Sequence, residues 1–211
     1  VMQLIADEVE ADDIISYSCR YSSLRDSQKI IVSSDKDFYQ LLDQKTILYR
    51  PVQKKLLTQK SIVEEHGIHP NNFALARAIV GDKSDNLDGV PGIGLKTVAK
   101  RFPFFKKEED DYINDLMEFC ENQESNAKAF ISIKENKQLI QSNYNLMQLY
   151  SPSLSTQTKQ SIEWIIDNFE HTFNKTQTYK MMLEDGINEI NWSTMFESFA
   201  RIQRDKKELN K

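Results

Sequence analysis

Two short β-branched segments on either side of a short helical pattern place the strongest constraint on the fold of this chain. Residues 29–34 read KIIVSS, and residues 45–49 read KTILY before Pro51 ends the run. Both have the length and composition of buried strands, and FYQLL at 38–42 favours a short helix. An acidic helical pattern precedes them, and VMQLI at 1–5 suits another strand. Alternating strands and helices predict an α/β fold with a parallel sheet.

Helical patterns replace strands after residue 57. One helix is predicted from Thr58 to a glycine cap at Gly67, and Pro70 opens a second helix that ends near Gly81. A polar, glycine-rich connection and a third short helix, LKTVAKRF, follow, and further helical patterns fill the remainder. We therefore predict three parts: an α/β part at 1–57, a helix-hairpin part at 58–107 and a helical region at 108–211.

Composition argues against a membrane-spanning or disulfide-stapled protein. The 211 residues are 39% hydrophobic, and no run approaches the roughly 18–20 apolar residues that a spanning helix needs. Cys19 and Cys120 lie far apart and show no metal-ligand spacing, which favours a reducing, cytoplasmic setting. The net charge is -5, yet residues 51–107 hold 10 basic and 5 acidic residues. This basic middle is either a phosphate-binding face or a chance excess.

Acidic residues gather in three clusters, each beside a predicted helix or strand end. They are Glu10, Asp12 and Asp13 at a helix start, Asp35 and Asp37 after a strand, and Asp82 and Asp85 in the glycine-rich connection. Hard divalent ions prefer carboxylate oxygens, and two such ions can activate water and stabilise the leaving oxygen of a phosphodiester. Each cluster also has a local interpretation, as a complement to a helix dipole, a helix cap or a turn. Taken together, the clusters predict a divalent metal site.

Residues 89–102, GVPGIGLKTVAKRF, have the form of a helix-hairpin-helix. Gly92 and Gly94 allow a tight turn and a close approach to a partner. The amides that open the following helix can bind a phosphate oxygen without reading a base. Further contacts can come from Lys96, Thr97, Lys100 and Arg101. The alternative is a tight turn between helices with a structural role only.

These motifs together resemble the 5′-nucleases, the family of flap endonucleases, 5′-3′ exonuclease domains of bacterial DNA polymerases and phage 5′-3′ exonucleases. The resemblance rests on EADD at 10–13, VSSDKDFYQLL at 32–42 and GDKSDNLDGVPGIGLKT at 81–97, in the family's order across residues 1–105. NYNLMQLY at 143–150 resembles a segment that the family carries after its hairpin. The carboxy-terminal helices more loosely resemble the ribonuclease H of T-even-like phages, a family member that removes lagging-strand primers. The implied fold is a PIN-like parallel sheet domain, a helix-hairpin-helix (H3TH) subdomain and an α-helical carboxy-terminal region.

The resemblance also implies a role for each cluster. In the family, the matching carboxylates hold two divalent ions, Mg²⁺ or Mn²⁺, and water attack leaves a 5′-phosphate. Catalysis and metal binding are thereby assigned to Glu10, Asp12, Asp13, Asp35, Asp37 and Asp85, and metal binding also to Asp82. DNA binding is assigned to Lys83, Gly92, Gly94, Lys96, Thr97 and Lys100. The family's hairpin often binds K⁺ through backbone carbonyls.

One part of the family pattern has no counterpart in the sequence. Family members begin with a strand that bears a metal-binding Asp, followed by a second Asp and a basic helical arch. Asp7 lies too close to Glu10 to take either role. The chain therefore resembles the final two-thirds of a 5′-nuclease, with the amino-terminal third missing, and we expect little catalysis from it alone.

The expected function is that of a structure-specific 5′-nuclease, acting in DNA replication on DNA or on RNA primers paired to DNA. The alternative is a catalytically incomplete fragment that only binds duplex DNA, and a weaker alternative is a small ribonuclease of the PIN type. The expected partners are duplex, flap or primer-bearing DNA, with single-stranded DNA-binding protein and a sliding clamp as further candidates. The expected location is the cytoplasm of a bacterial or phage-infected cell.

Overall fold

The computed structural model describes residues 2–110, 112–123, 127–170 and 173–209. The chain divides into two compact units, one formed by residues 3–167 and the other by Met2 and the residues from Asn168 onward. The predicted boundaries after residues 57 and 107 both lie inside the first unit and stay predictions. No helix in the described ranges is long and apolar enough to cross a membrane.

The described elements follow the predicted order closely. The strands are β1 (Lys29–Val32), β2 (Thr46–Arg50) and β3 (Lys55–Leu57). The helices are α1 (Ala11–Arg20), α2 (Gln59–His66), α3 (Phe73–Val80), α4 (Leu95–Arg101), α5 (Ile113–Glu121), α6 (Lys128–Glu135), α7 (Lys137–Met147), α8 (Thr156–Asp167), α9 (Lys175–Glu184) and α10 (Trp192–Leu209). Short 3₁₀ turns lie at Ser23–Asp26, Asp37–Leu41, Pro70–Asn72 and Pro103–Lys106.

The sheet confirms the α/β prediction, with one difference in strand direction. Strands β1 and β2 pair in parallel, with Ile31 opposite Leu48. Strand β3 pairs with β2 in the antiparallel direction, which the sequence reasoning did not predict. The four-residue connection between β2 and β3 is too short for a crossover, so only a hairpin can form there. The predicted helix at 38–42 is the 3₁₀ turn Asp37–Leu41.

The prediction of a strand at residues 1–5 is wrong over the described residues 2–5, which have no strand partner. In the described chain, β1 pairs with β2 alone. Leu4 and Ala6 instead pack against a small cluster that contains Ile14 of α1 and Ile162 of α8. The apolar character of this segment therefore reflects side-chain packing on two helices rather than backbone pairing in the sheet.

Helix α3 forms the centre of the larger hydrophobic core. Its residues Phe73, Leu75 and Ile79 are almost completely buried, as are Leu48 and Leu57 on the inner face of the sheet. Helix α2 has the predicted glycine cap at Gly67, where φ is 68°. Because α3 packs in the core and ends beside the glycine-rich connection, it fixes where that connection leaves the core.

The two ends of this connection meet at a very close backbone approach. A Cβ atom on Gly89 would lie 1.8 Å from the carbonyl oxygen of Val80, and one on Gly81 would lie 2.4 Å from the backbone nitrogen of Gly89. Gly81 also has a φ of 77°, and its amide bonds to the carbonyl of Arg77. The contact closes residues 81–89 into a compact loop, which we call the acidic loop.

Gly89→Ala should destabilise the protein because the added methyl group would overlap backbone atoms that cannot rotate away. We expect a loss of about 1–3 kcal/mol in the free energy of unfolding, the usual cost of overpacking. Gly94→Ser is the matched control: a Cβ there meets nothing within 4 Å, and serine is a good residue at that helix start. Urea unfolding of the two variants measures the difference, and equal stability would contradict the close approach.

Candidate functional site

The second acidic cluster lies at the carboxyl end of β1, where parallel sheets commonly bind ligands. The Asp35 carboxylate is exposed, and it accepts a 2.9 Å hydrogen bond from the amide of Asp37. Asp35 thereby bonds to the first residue of the 3₁₀ turn, but the N-cap position that the local interpretation gave to Asp35 is held by Lys36. Asp37 is mostly buried, with 18% of its side chain exposed.

Arg77 of α3 joins the second cluster to the third. Its Nη2 lies 3.2 Å from Oδ1 of Asp37, and its Nε lies 3.3 Å from the same oxygen. Nη2 also pairs closely with Oδ2 of Asp82, at the start of the acidic loop. All three side chains are mostly shielded from solvent. One buried guanidinium therefore holds the end of the sheet and the acidic loop together.

The two carboxyls paired with Arg77 have opposite acidities. Burial raises the pKa of Asp37 to about 6, against the opposing effect of Arg77 and with smaller contributions from Asp35 and Asp82. The pKa of Asp82 is lowered to about 2, first by a hydrogen bond from the Ser84 side chain and then by the Ser84 amide and Arg77. Asp82 therefore stays ionised over the physiological pH range, whereas Asp37 gains a proton as the pH falls through about 6.

The first acidic cluster lies at the start of α1 and has different neighbours. Glu10 is exposed at the N-cap position and makes no side-chain cap bond. Asp12 and Asp13 are half-buried in the first turn. Burial and then the charge of Asp12 raise the pKa of Asp13, whereas a hydrogen bond with the Ser153 backbone lowers it. Asp13 therefore has different neighbours from Asp37.

Two candidate residues of the third cluster lie in the exposed part of the acidic loop. Asp85 and Lys83 are both exposed between the bridging residues Asp82 and Leu87. The next residue, Asn86, has a φ of 58°. The loop thus presents one lysine and at least one aspartate side chain to solvent.

The described residues do not fit a complete divalent metal site. Among them, no group of three or more His, Cys, Asp and Glu side chains is placed to hold an ion. Asp37 and Asp82 offer the right oxygen donors, but the Arg77 guanidinium already lies between them. The catalytic and metal-ligand assignments therefore stay predictions.

The hairpin presents glycines and cations on an open surface. Gly92 has a φ of 76°, and a Cβ atom on either Gly92 or Gly94 would meet nothing within 4 Å. Buried Val90, Ile93 and Val98 fix the hairpin to the core beneath. The side chains of Lys96, Lys100 and Arg101 are exposed, and that of Thr97 is half-buried. This surface can approach a phosphate backbone, so the DNA-binding assignments stay reasonable predictions.

Sequence reasoning missed Arg77, Gln40 and Asn143, three polar residues that connect the acidic elements. Arg77 had a visible signal, because it is the only charged residue in the apolar helix FALARAIV. Gln40 and Asn143 are 5% and 3% exposed, and their side chains bond to distant backbone. Nothing in their local sequence distinguishes them from surface amides.

Replacing Asp37 by Asn tests the acidity of this carboxyl. Because the folded chain holds the Asp37 proton more tightly than the unfolded chain, that proton stabilises the fold at low pH. This stability is lost as the pH rises from about 4 through about 6. The stability of Asp37→Asn relative to wild type should therefore increase from about pH 4 to about pH 7. Urea unfolding across this range measures it, with Glu64→Gln as the control, and a difference independent of pH would contradict the assignment.

Comparison with known proteins gives matches to 5′-3′ exonucleases along the chain. The sequence model of the family "5′-3′ exonuclease, N-terminal resolvase-like domain" matches residues 1–67. The 5′-3′ exonuclease of Buchnera aphidicola (subspecies Schizaphis graminum) is 34% identical over 142 residues, which are 67% of this chain and 49% of that protein. The thermostable DNA polymerase I of Thermus aquaticus is 38% identical over 91 residues, 43% of this chain and 11% of that protein. The chain thus spans about half the length of the curated exonucleases that it matches.

Solved structures with the same fold agree with these matches. The zinc-bound T5 5′-exonuclease aligns with a TM-score of 0.64 at 21% identity, covering 75% of this chain and 59% of that one. The bacteriophage T5 flap endonuclease, in a pseudo-enzyme-product complex with DNA and metal ions, aligns with a TM-score of 0.63 at 20% identity and the same coverage. At this identity the likeness shows the fold. Combined with the sequence matches and the acidic loop that leads into a helix-hairpin-helix, it shows that the chain belongs to the 5′-nuclease family.

Proposed function

We propose that the protein acts in DNA replication as a divalent-metal-dependent, structure-specific 5′-nuclease on flap DNA or on RNA primers paired to DNA. One observation carries the proposal: the acidic loop and the hairpin form one continuous unit. The loop is closed by the Gly81–Gly89 contact, and the buried Val90 and Ile93 follow directly. Carboxylates and phosphate-binding cations therefore lie on one short, firmly held segment.

The hairpin would bind the sugar-phosphate backbone without reading the bases. Lysine side chains supply most of the affinity of such contacts, and glycines let the backbone come close. Lys96 and Lys100 are exposed one turn apart on α4, and Gly92 and Gly94 leave the adjoining surface open. K⁺ at the hairpin backbone remains a prediction from the family resemblance.

Divalent ions are part of the proposal because two related T5 structures are described as bound to metal ions. Mg²⁺ or Mn²⁺, two ions in a complete enzyme, would be held by the predicted carboxylates at the ends of β1, α1 and the acidic loop. The described residues alone do not form that site, since Arg77 takes the place of a cation between Asp37 and Asp82. Ligands in addition to these carboxylates are therefore part of the proposal.

The replication setting follows from the proposed reaction. A primer-removing or flap-cutting nuclease works beside single-stranded DNA-binding protein and a sliding clamp, in the cytoplasm of a bacterial or phage-infected cell. The ribonuclease H branch of the family is the finer assignment that we propose, on the looser resemblance of the carboxy-terminal helices.

A duplex-binding module without catalysis is the second candidate, and Arg77 favours it. The guanidinium already neutralises Asp37 and Asp82, so the folded chain does not need a metal ion to hold these carboxylates together. The hairpin surface would be the same in both cases. The two candidates therefore differ in cleavage and share duplex binding.

A flap-cleavage assay separates the two functions. We expect the 211-residue chain to bind flap DNA and to cut it very slowly in Mn²⁺. Cutting should increase when a second polypeptide supplies the family's amino-terminal strand and arch, and Asp85→Asn should abolish it. Flap-DNA binding without cutting, both with and without the second polypeptide, would support the duplex-binding module. Robust cutting by the chain alone, lost in Asp85→Asn, would contradict our account of the missing ligands.

Lys96→Ala tests the hairpin as the duplex-binding surface. The affinity should fall to a similar extent for all duplex sequences, and the salt dependence should become shallower by about one unit, because one phosphate contact is lost. Gly94→Val should weaken binding further by blocking the backbone approach. Gel shifts at several salt concentrations measure both effects, with Lys180→Ala on α9 as the control. Losses that depend on sequence would indicate base reading instead.

A further inference from the structure

One stretch of chain contacts the elements that carry all three acidic clusters. It runs from Asn143, in the last turns of α7, to Ser153 in the loop that precedes α8. We call it the 143–153 segment. Its contacts are hydrogen bonds between side chains and backbone, and they reach the acidic loop, the 3₁₀ turn at Asp37 and helix α1.

Asn143 fixes the two ends of the acidic loop. Its side-chain nitrogen donates a 3.0 Å bond to the carbonyl of Ala78 and a 2.8 Å bond to the carbonyl of Asp88. The amide of Asp82, which would bond to Ala78 if α3 continued, bonds to Leu87 instead. Asn143 therefore supplies the donor that the end of α3 lacks, and the same amide group ties down the far end of the loop.

Gln40 fixes the turn that begins at Asp37. Its side-chain nitrogen donates to the carbonyl of Met147 at 3.0 Å, and its side-chain oxygen accepts from the amide of Leu149 at 2.7 Å. Gln40 is buried. Both polar ends of one side chain thus join the Asp37 turn to the 143–153 segment.

Helix α1 is held by the same segment. The Ser16 hydroxyl, which is fully buried, donates to the carbonyl of Leu149. The Tyr21 hydroxyl donates to the carbonyl of Tyr150 at 2.6 Å. The Ser153 backbone acts on the Asp13 carboxyl and lowers its pKa against the effects of burial and Asp12. The three contacts come from Leu149, Tyr150 and Ser153, and they reach α1 at its middle, at its C-cap residue and in its first turn.

We propose that the 143–153 segment sets the relative positions of the three acidic elements, with Asn143 and Gln40 as positioning residues. Carboxylates repel one another, so elements that carry them separate unless other bonds hold them. A single backbone segment that bonds to all three elements supplies that restraint. The importance of this restraint for metal and DNA binding rests on the proposed nuclease function.

Hydrogen exchange on the 211-residue chain tests the positioning directly. In Asn143→Leu, which keeps the volume but loses both donors, exchange over residues 81–90 should accelerate about tenfold, as expected for the loss of buried hydrogen bonds. In Gln40→Met, the acceleration should lie over residues 37–42. The control is Gln141→Leu, an exposed amide of the same helix that bonds only to the Asn145 side chain. Uniform acceleration, or none at these residues in a folded variant, would overturn the proposal.

Tyr21→Phe provides a second hydrogen-exchange test if Asn143→Leu or Gln40→Met does not fold. Tyr21 is exposed, and the substitution removes only the bond to the carbonyl of Tyr150. Exchange should then accelerate over residues 149–153 and at the end of α1, with the rest of the chain unchanged. Unchanged exchange in both stretches would show that the segment does not hold α1, and would count against the proposal.

Flap-DNA binding as a function of Mn²⁺ tests the consequence for the site. At a temperature where circular dichroism shows each variant folded, loss of stability alone leaves binding unchanged. We expect Asn143→Leu and Gln40→Met to require about tenfold more Mn²⁺ for half-maximal binding, as is usual when a residue that orients metal ligands is lost. If both variants need the same Mn²⁺ concentration as wild type, Asn143 and Gln40 contribute to core packing but do not position the metal ligands. If wild-type binding does not respond to Mn²⁺ even with the second polypeptide that supplies the amino-terminal strand and arch, the proposed function fails, and hydrogen exchange on the chain still decides the positioning.

Discussion

The buried guanidinium of Arg77 is the interaction on which the arrangement of the acidic residues depends. It contacts Asp37 at the end of the sheet and Asp82 at the start of the acidic loop. Two carboxylates in a mostly buried position repel each other and lose hydration, so the fold needs a cation there. Arginine is suited to this place because its planar group keeps its charge and can bond to two carboxylates at once. The sheet and the loop can therefore meet only where Arg77 reaches both.

The unequal acidities of Asp37 and Asp82 follow from the same geometry. Ser84 donates two hydrogen bonds to Asp82 from the adjoining loop, whereas Asp37 has Arg77 and its own burial. The site thus contains one carboxyl that stays ionised and one that changes its charge near neutral pH. Any ligand that favours the ionised form of Asp37 binds less well as the pH falls through about 6.

Local sequence was sufficient to predict the elements that depend on local chemistry. The β-branched runs became β1 and β2, the cap at Gly67 formed, and residues 95–101 became the helix after the hairpin. The antiparallel strand β3 was not predicted, because the strand pattern ends at Pro51 and β3 is only three residues long. Residues 2–5 were misassigned because an apolar run has the same composition whether it pairs in a sheet or packs on helices.

The sequence could nominate candidate site residues but could not predict how they are arranged. Acidic clusters and the glycine hairpin carry recognisable patterns, so their residues could be named in advance. The partners that hold them together, Arg77, Gln40 and Asn143, act over 40, 107 and 65 residues of sequence. Such contacts depend on the packing of α3 and α7 in the core, which no local pattern encodes.

Arg77 also distinguishes the two proposed functions in physical terms. If the protein is a duplex-binding module, Arg77 stays paired with both Asp37 and Asp82. The pairing then fixes the direction in which the acidic loop leads into the hairpin. For a nuclease, the same carboxylates must become available to cations, so the guanidinium has to give up at least one of them. Asp37 is the one that it releases more easily, because the burial of Asp37 favours its protonated form. Asp82 has Ser84 as well as Arg77 and remains anchored. A folded chain can therefore keep the loop attached through Asp82 while Asp37 changes partner, which would let one architecture serve both binding and cleavage.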